Sequence, residues 1–341
     1  MNTIQPSSCN TTRRSLLIAA GLAGLGTAPG LLAATRGYPD HPVRIILPGP
    51  PGLALDIVVR VVADALGAKY NQSFIVEDRP GAGGMVAMQM YANNYKPDGY
   101  TLLAGGLGPS VMIASLFKNV PLDPYKAFIG VGQMAESANI LVVRADLPYQ
   151  SVAELVAAAK ARPNEIKVGS NDIGSSMQMS YELFAQRTGT QYIYAPYRGP
   201  NEVMGGLLSE TIDVGFSSFG PFVPTVKSGK LRALAVTTSY RQDMLPDVPT
   251  MQEAGVHDYD VGSWLCLHAL PGTPAAIIDQ LGRDMVEIVN RPEIGEKLKA
   301  AGYMPRPLEA KAFQEKWAKE MTRWTAVAQN AHLVKDYQTG T

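Results

Sequence analysis

The sequence predicts an α/β protein of two lobes, each a mostly parallel sheet flanked by helices. Three observations carry that expectation. The chain has 341 residues, more than a single domain normally holds. Short apolar runs alternate with segments of helical spacing, the β-turn-α-turn-β rhythm of a parallel sheet with helices on its faces. The rhythm restarts after Ile140-Leu141-Val142-Val143 with no low-complexity linker, which suggests two lobes joined by several chain crossings.

The elements follow in order. Residues 1–34 lie outside the rhythm and read as a signal peptide. Arg13 and Arg14 form its positive start and favour the twin-arginine route; Leu16 to Leu25 is its apolar run. Ala33 and Ala34 suit a signal peptidase, so cleavage is expected near them. Gly21, Gly24, Gly26, Pro29 and Gly30 weaken the same run as a spanning helix.

Val43 to Leu47 reads as a strand. Val58, Val62 and Leu66 then recur at helical spacing up to Gly67. Phe74 to Glu77 is a second strand, Gly81 to Gly84 a tight packing turn, Met85 to Asn93 a helix and Thr101 to Ala104 a third strand. In the second stretch Ser151-Val152-Ala153-Glu154 is a capping box ahead of a helix, and Thr250 to Glu253 is another. Strands are expected at 166–169, 212–216 and 231–236, with a helix over 177–186. Thr273-Pro274 opens a helix, and Ala310 to Ala331 is a long amphipathic one. This assigns 36–135 plus 262–341 to lobe one and 136–261 to lobe two.

Composition narrows the function. Lys plus Arg and Asp plus Glu both total 30, so the formal charge is zero and nothing favours nucleic acid or an anionic membrane as partner. Hydrophobic residues make up 46%, enough for a sizeable core. Of the two cysteines, Cys9 leaves with the leader and Cys266 is alone in the apolar run Trp264 to Leu267, a packed thiol without a disulfide partner.

Enzyme templates fail in turn. The chain has no Gly-x-Ser-x-Gly elbow and no phosphate loop ending in Gly-Lys-Ser or Gly-Lys-Thr. Gly81-Ala82-Gly83-Gly84 has Val86 where a dinucleotide fingerprint needs its last glycine. His41, His257, His268 and His332 are scattered without metal-ligand spacing. No catalytic residue, metal or cofactor is expected. What remains is a set of small and polar loops at strand ends, each opening a helix: Gly49 to Gly52, Gly105 to Ser110 (with Gly108), Ser170 to Ser176, Tyr197-Arg198-Gly199 and Ser217-Ser218. Such loops present unpaired N–H groups and the positive end of a helix dipole, which hold a carboxylate without a lysine or arginine.

The ordered motifs are similar to those of the Bug-type solute-binding receptors of tripartite tricarboxylate transporters. They include Tyr38-Pro39 with Pro42-Val43-Arg44, Pro51-Gly52 with Asp56-Ile57, Glu77 to Gly84, and Pro97 to Leu103. Further along come Gly174-Ser175-Ser176, Pro196 to Gly199, Gly229 to Val236, Pro246 to Thr250 and Pro271 to Pro274. The resemblance implies a periplasmic-binding-protein-like fold that closes like a clamshell on a small carboxylate and serves integral membrane transporter subunits. It implies a periplasmic monomer. It places ligand contacts at Pro51, Gly52, Leu53, Ala54, Leu55 and Asp56, and at Ser170, Asn171, Gly174, Ser175 and Ser176. On the residues themselves, Asp56 reads as a helix cap or a partner of Arg60, and Arg79 as a clamp of the fold. Three departures stand out. Leu53-Ala54-Leu55 replaces a glycine-rich loop, Gly49 replaces an aromatic, and Ser217-Ser218 replaces an Asp-Asn pair. Without that Asp, a di- or tricarboxylate or an aromatic acid is expected rather than an amino acid. A sensor subunit, a relative with an inactivated pocket and an enzyme on the same fold remain as alternatives.

Overall fold

A computed structural model describes residues 37–49, 51–52, 54–171 and 175–337. The expected signal peptide lies outside them. The first lobe begins with β1 (Val43–Leu47), α1 (Ala54–Tyr70), β2 (Phe74–Asp78), α2 (Met85–Asn94) and β3 (Thr101–Gly106). β1 lies between β2 and β3 and runs parallel to both. α1 forms because Val58, Val62 and Leu66 line one face, each at most 1% exposed. Burying each such side chain contributes ~1.5–3 kcal/mol. The helix continues past Gly67, the expected stop. A Cβ at Gly67 would lie 3.1 Å from the Gln72 carbonyl oxygen, so this glycine serves close packing inside the helix rather than ending it.

A π-helical turn at Gly108–Met112 leads into α3 (Ile113–Leu116), β4 (Phe117–Lys118), α4 (Pro124–Ala127) and β5 (Ile129–Arg144). Within β5 the sequence shows only the apolar run Ile140 to Val143, because Gly130, Gly132, Gln133, Glu136 and Asn139 interrupt the pattern before it. Each interruption has a tertiary partner. Gly130 leaves room for Phe313, and Gly132 for Met285 and the Leu308 carbonyl. Gln133 donates to the Arg306 carbonyl at 2.6 Å. Glu136 pairs with Lys316 at 2.8 Å.

The second lobe holds α5 (Val152–Ala161), β6 (Lys167–Asn171), α6 (Ser176–Thr188), β7 (Ile193–Tyr197), α7 (Pro200–Leu208), β8 (Val214–Ser218), α8 (Phe219–Lys227) and β9 (Leu231–Val236). Ser151 caps α5 by accepting from Glu154 N–H at 3.2 Å. The second capping box also forms, Thr250 and Glu253 exchanging side-chain-to-backbone bonds of 2.8 and 3.1 Å, but it closes a turn and not a helix. The chain returns through β10 (Gly262–Ala269), α9 (Ala275–Val289), α10 (Pro292–Ala300), β11 (Met304–Glu309), α11 (Ala310–Asn330) and β12 (Lys335–Asp336), which pairs with β4.

The large sheet runs β2-β1-β3-β10-β5-β8-β6-β7, with β9 and β11 also on β5. β5 is shared. Ile129 to Ala138 pairs with β10, and β11 joins the same half; Asn139 to Arg144 pairs with β8 and β9. Strand directions then decide where the loops lie. β10 is antiparallel to β3 and to β5, so β1, β3 and β5 share one direction. β8 is antiparallel to β5, and β6 and β7 follow β8. The carboxyl ends of β1 and β3 therefore point toward the junction from one side, and those of β6, β7 and β8 from the other. An apolar core around Phe313, Trp317 and Trp324 continues through Tyr259 and Val261 to Phe184 and Phe216, so the halves share packing on one flank.

Candidate ligand-binding site

In the first lobe, β1 delivers Pro51 and Gly52, both exposed, to the junction. Gly52 has φ +83°, a left-handed backbone that glycine adopts without strain. Its N–H donates to Asp56 Oδ2 at 2.8 Å, and Arg60 Nε donates to Asp56 Oδ1 at 2.5 Å. Arg60 also reaches Asp78 at 2.8 Å. Asp56 is 5% exposed and thus holds the loop against α1 in the way its sequence context suggests. Leu55 is half-buried against the α1–α9 core. Leu53 lies outside the described residues, and Ala54 opens α1. Arg79 binds Glu77 at 3.0 Å, and its N–H donates to the Leu47 carbonyl at 2.8 Å, so it too secures the end of β1.

β3 ends at the π turn. Gly108 is exposed there, whereas Ser110 turns inward and is 2% exposed. Its hydroxyl lies 2.8 Å from His268 Nε2, and its carbonyl accepts from Trp317 Nε1 at 3.0 Å. Cys266 Sγ is 3.1 Å from the same histidine nitrogen. Burial pushes the His268 pKa down to about 3 and the Cys266 thiol up, so this trio is a neutral, packed cluster. The hydroxyl of Ser110 is committed to the core rather than offered to the junction.

In the second lobe, Ser170 is fully buried with its Oγ 2.8 Å from the Tyr194 hydroxyl. Asn171 ends β6, and Gly174 lies outside the described residues. Ser175 caps α6, accepting from Gln178 N–H at 3.2 Å. Ser176 follows in the first turn. Ser217 is fully buried, and Ser218 takes the N-cap position of α8. Arg198 is exposed before α7, its N–H donating to Glu202 at 3.1 Å.

Two residues that sequence reading misses tie these parts together. Asn139, 1% exposed, pairs with Ser218 across β5 and β8. Its Nδ2 donates to Ser180 Oγ at 2.9 Å and lies 3.3 Å from Ser176 Oγ. Thr237, fully buried, accepts from Asn139 N–H at 2.9 Å and donates to the Val261 carbonyl at 2.6 Å. It thereby stitches two chain crossings between the lobes. The only signal in the sequence is a polar residue placed directly before the apolar run at 140–143. Among the described residues no group of three His, Cys, Asp or Glu side chains could hold a metal, and no helix is long and apolar enough to cross a membrane.

The fold and these loops define a two-lobed α/β binding protein with its polar strand ends gathered at the junction. Residues 58–333 match the family model "Tripartite tricarboxylate transporter family receptor", and the chain belongs to that family. It is a solute-binding receptor and not an enzyme. It is 32% identical to Protein BugT of Bordetella pertussis over 322 residues, covering 93% of this chain and 97% of that one. Among solved structures it resembles Rpa4515 of R. palustris with adipate, at 30% identity and TM-score 0.70, covering 87% of this chain and 99% of the other. It also resembles MatC of Rhodopseudomonas palustris with bound malate, at 25% identity and TM-score 0.65, covering 85% and 100%.

Proposed function

We propose that this receptor captures a small di- or tricarboxylate or an aromatic acid in the periplasm and delivers it to integral membrane transporter subunits. The observation that carries the reading is the strand polarity, which brings the starts of α1, α6, α7 and α8 and the π turn to one junction. N–H groups at helix starts bind anionic groups, and ligands of open α/β sheets bind outside the carboxyl ends of strands. The relatives bound to adipate and malate support a carboxylate. Pro51 to Asp56, Gly108, Ser170 to Ser176, Arg198, Ser217 and Ser218 supply the contacting loops. Ser217 and Ser218 carry no charge to pair with an ammonium.

The lobes run over 36–135 plus 262–341 and over 136–261. The switch of β5 partners between Ala138 and Asn139, and the start of β10 at Gly262, support that division. Arg13, Arg14 and the apolar run after them support export with cleavage near Ala33-Ala34, and the mature receptor acts as a monomer. N-terminal sequencing of the exported protein checks the cleavage site.

Calorimetry with adipate, malate, citrate, benzoate, aspartate and glutamate tests the ligand class. One of the first four is expected to bind most tightly. Tighter binding of aspartate or glutamate overturns the exclusion of amino acids, and binding of none of the six overturns the carboxylate reading.

A further inference from the structure

α6 belongs to the second lobe and α11 to the first, yet the two lie side by side. Gln186 Nε2 donates to the Val327 carbonyl at 3.1 Å across them. Beside this contact runs an open groove of about 780 Å³, walled by Leu183, Gln186 and Arg187 on one side and by Lys319, Arg323 and Val327 among others on the other. Its charged lining is of one sign, Arg187, Lys319 and Arg323, with no carboxylate among the lining residues. Arg187 meets Asp258 only at 3.9 Å, and Lys319 has no ion pair among the described residues. Arg323 binds Glu320 at 2.6 Å and donates to the Asp260 carbonyl at 2.5 Å, beside the second crossing of the chain between the lobes.

We propose that this groove docks an acidic segment of the membrane transporter and that its width reports whether the receptor is closed. The inference rests on the receptor reading above. The charge follows from the lining. A segment bearing two or more Asp or Glu side chains matches the charges of Arg187 and Lys319, which come from opposite walls, while Arg323 is held by Glu320. The reporting follows from the walls. Each comes from a different lobe, so a movement of the lobes changes the spacing of Arg187 against Lys319. A partner that fits only one spacing thereby distinguishes loaded from empty receptor.

The test pairs Arg187→Glu and Lys319→Glu with the conservative Arg187→Lys, in cells of the source organism lacking the chromosomal copy. Uptake of radiolabelled adipate, malate, citrate and benzoate is measured beside the calorimetric affinity of each purified variant. The charge reversals are expected to lower uptake at least about tenfold while affinity stays within about twofold, and Arg187→Lys to restore it. Uptake at the wild-type level in both reversals overturns the proposal, as does a parallel loss of affinity. Cosedimentation of the wild-type receptor with phosphatidylglycerol vesicles, lost in the reversals, assigns the groove to lipid and also overturns it. A wild-type receptor that binds none of the acids and supports no uptake fails the function reading and the docking together. Bound acid with charge-insensitive uptake fails the docking alone.

Discussion

Replacing Asp56 tests how the first loop is held. Asp56→Ala removes the acceptor of the Gly52 N–H and one partner of Arg60. A hydrogen bond to a charged acceptor contributes ~1.5–3 kcal/mol. The ion pair adds under ~1 kcal/mol, because the Arg60 side chain is 43% exposed and retains Asp78. Alanine returns ~0.5 kcal/mol through its better helix propensity. The net expectation is a loss of ~1.5–3 kcal/mol, or a fall in Tm of ~2–5 °C for a chain of this size. Asp56→Asn keeps an acceptor for Gly52 and loses only the charge, so it is expected to cost about half as much. Urea and thermal unfolding of both variants, with the calorimetric acid panel, read the result. Loss of the Gly52 contact also frees the loop, so affinity for the bound acid is expected to fall in Asp56→Ala. Equal destabilisation by Asn and Ala refutes the hydrogen-bond account. So does tighter acid binding in Asp56→Ala without loss of stability, which would put the carboxylate in the pocket as a repelling charge.

Other outcomes are expected from the core. His268 titrates near 3 when folded against an ordinary 6.5, so between those values the unfolded chain holds a proton that the native chain does not. Its contribution to stability is present above pH ~6.5 and is lost as pH falls toward 3, with a slope of up to ~1.4 kcal/mol per pH unit. Urea midpoints are expected to fall less steeply with acid in His268→Asn than in wild type. Thr237→Val leaves the Asn139 N–H and the Val261 carbonyl without their hydroxyl partner; it is expected to cost ~2–4 kcal/mol and to alter the change in radius of gyration on acid binding, read by solution scattering. Gly132→Ala drives a Cβ to 2.6 Å from the Leu308 carbonyl oxygen and is expected to destabilise by ~1–3 kcal/mol or more in urea unfolding, with acid affinity retained in the folded fraction.

Local chemistry made much of this protein legible. The stripe at Val58, Val62 and Leu66, the cap at Ser151 and the buried run at Cys266 each follow from neighbours within a few residues, and so could be read directly. Asp56 was readable for the same reason, since both of its partners lie four residues away. Ser110 was not. Its partner His268 is distant in the chain, and only the pairing of β10 with β3 brings them together. Asn139 and Thr237 were hidden likewise, because a polar residue inside an apolar strand has meaning only once its partner is placed.

The sequence by itself determined the two α/β stretches, the small polar loops that open their helices and the ordered motifs of a solute receptor. These depend on periodicity and turn chemistry, which act over a few residues. Tertiary structure decided that one strand, β5, serves both lobes, because Gly130, Gly132, Gln133 and Glu136 find distant partners that complete it. It also decided that the loops from both lobes meet, because antiparallel pairing of β8 with β5 turns the carboxyl ends of one lobe toward those of the other. That direction is a property of strand pairing across long separations, which no local pattern encodes.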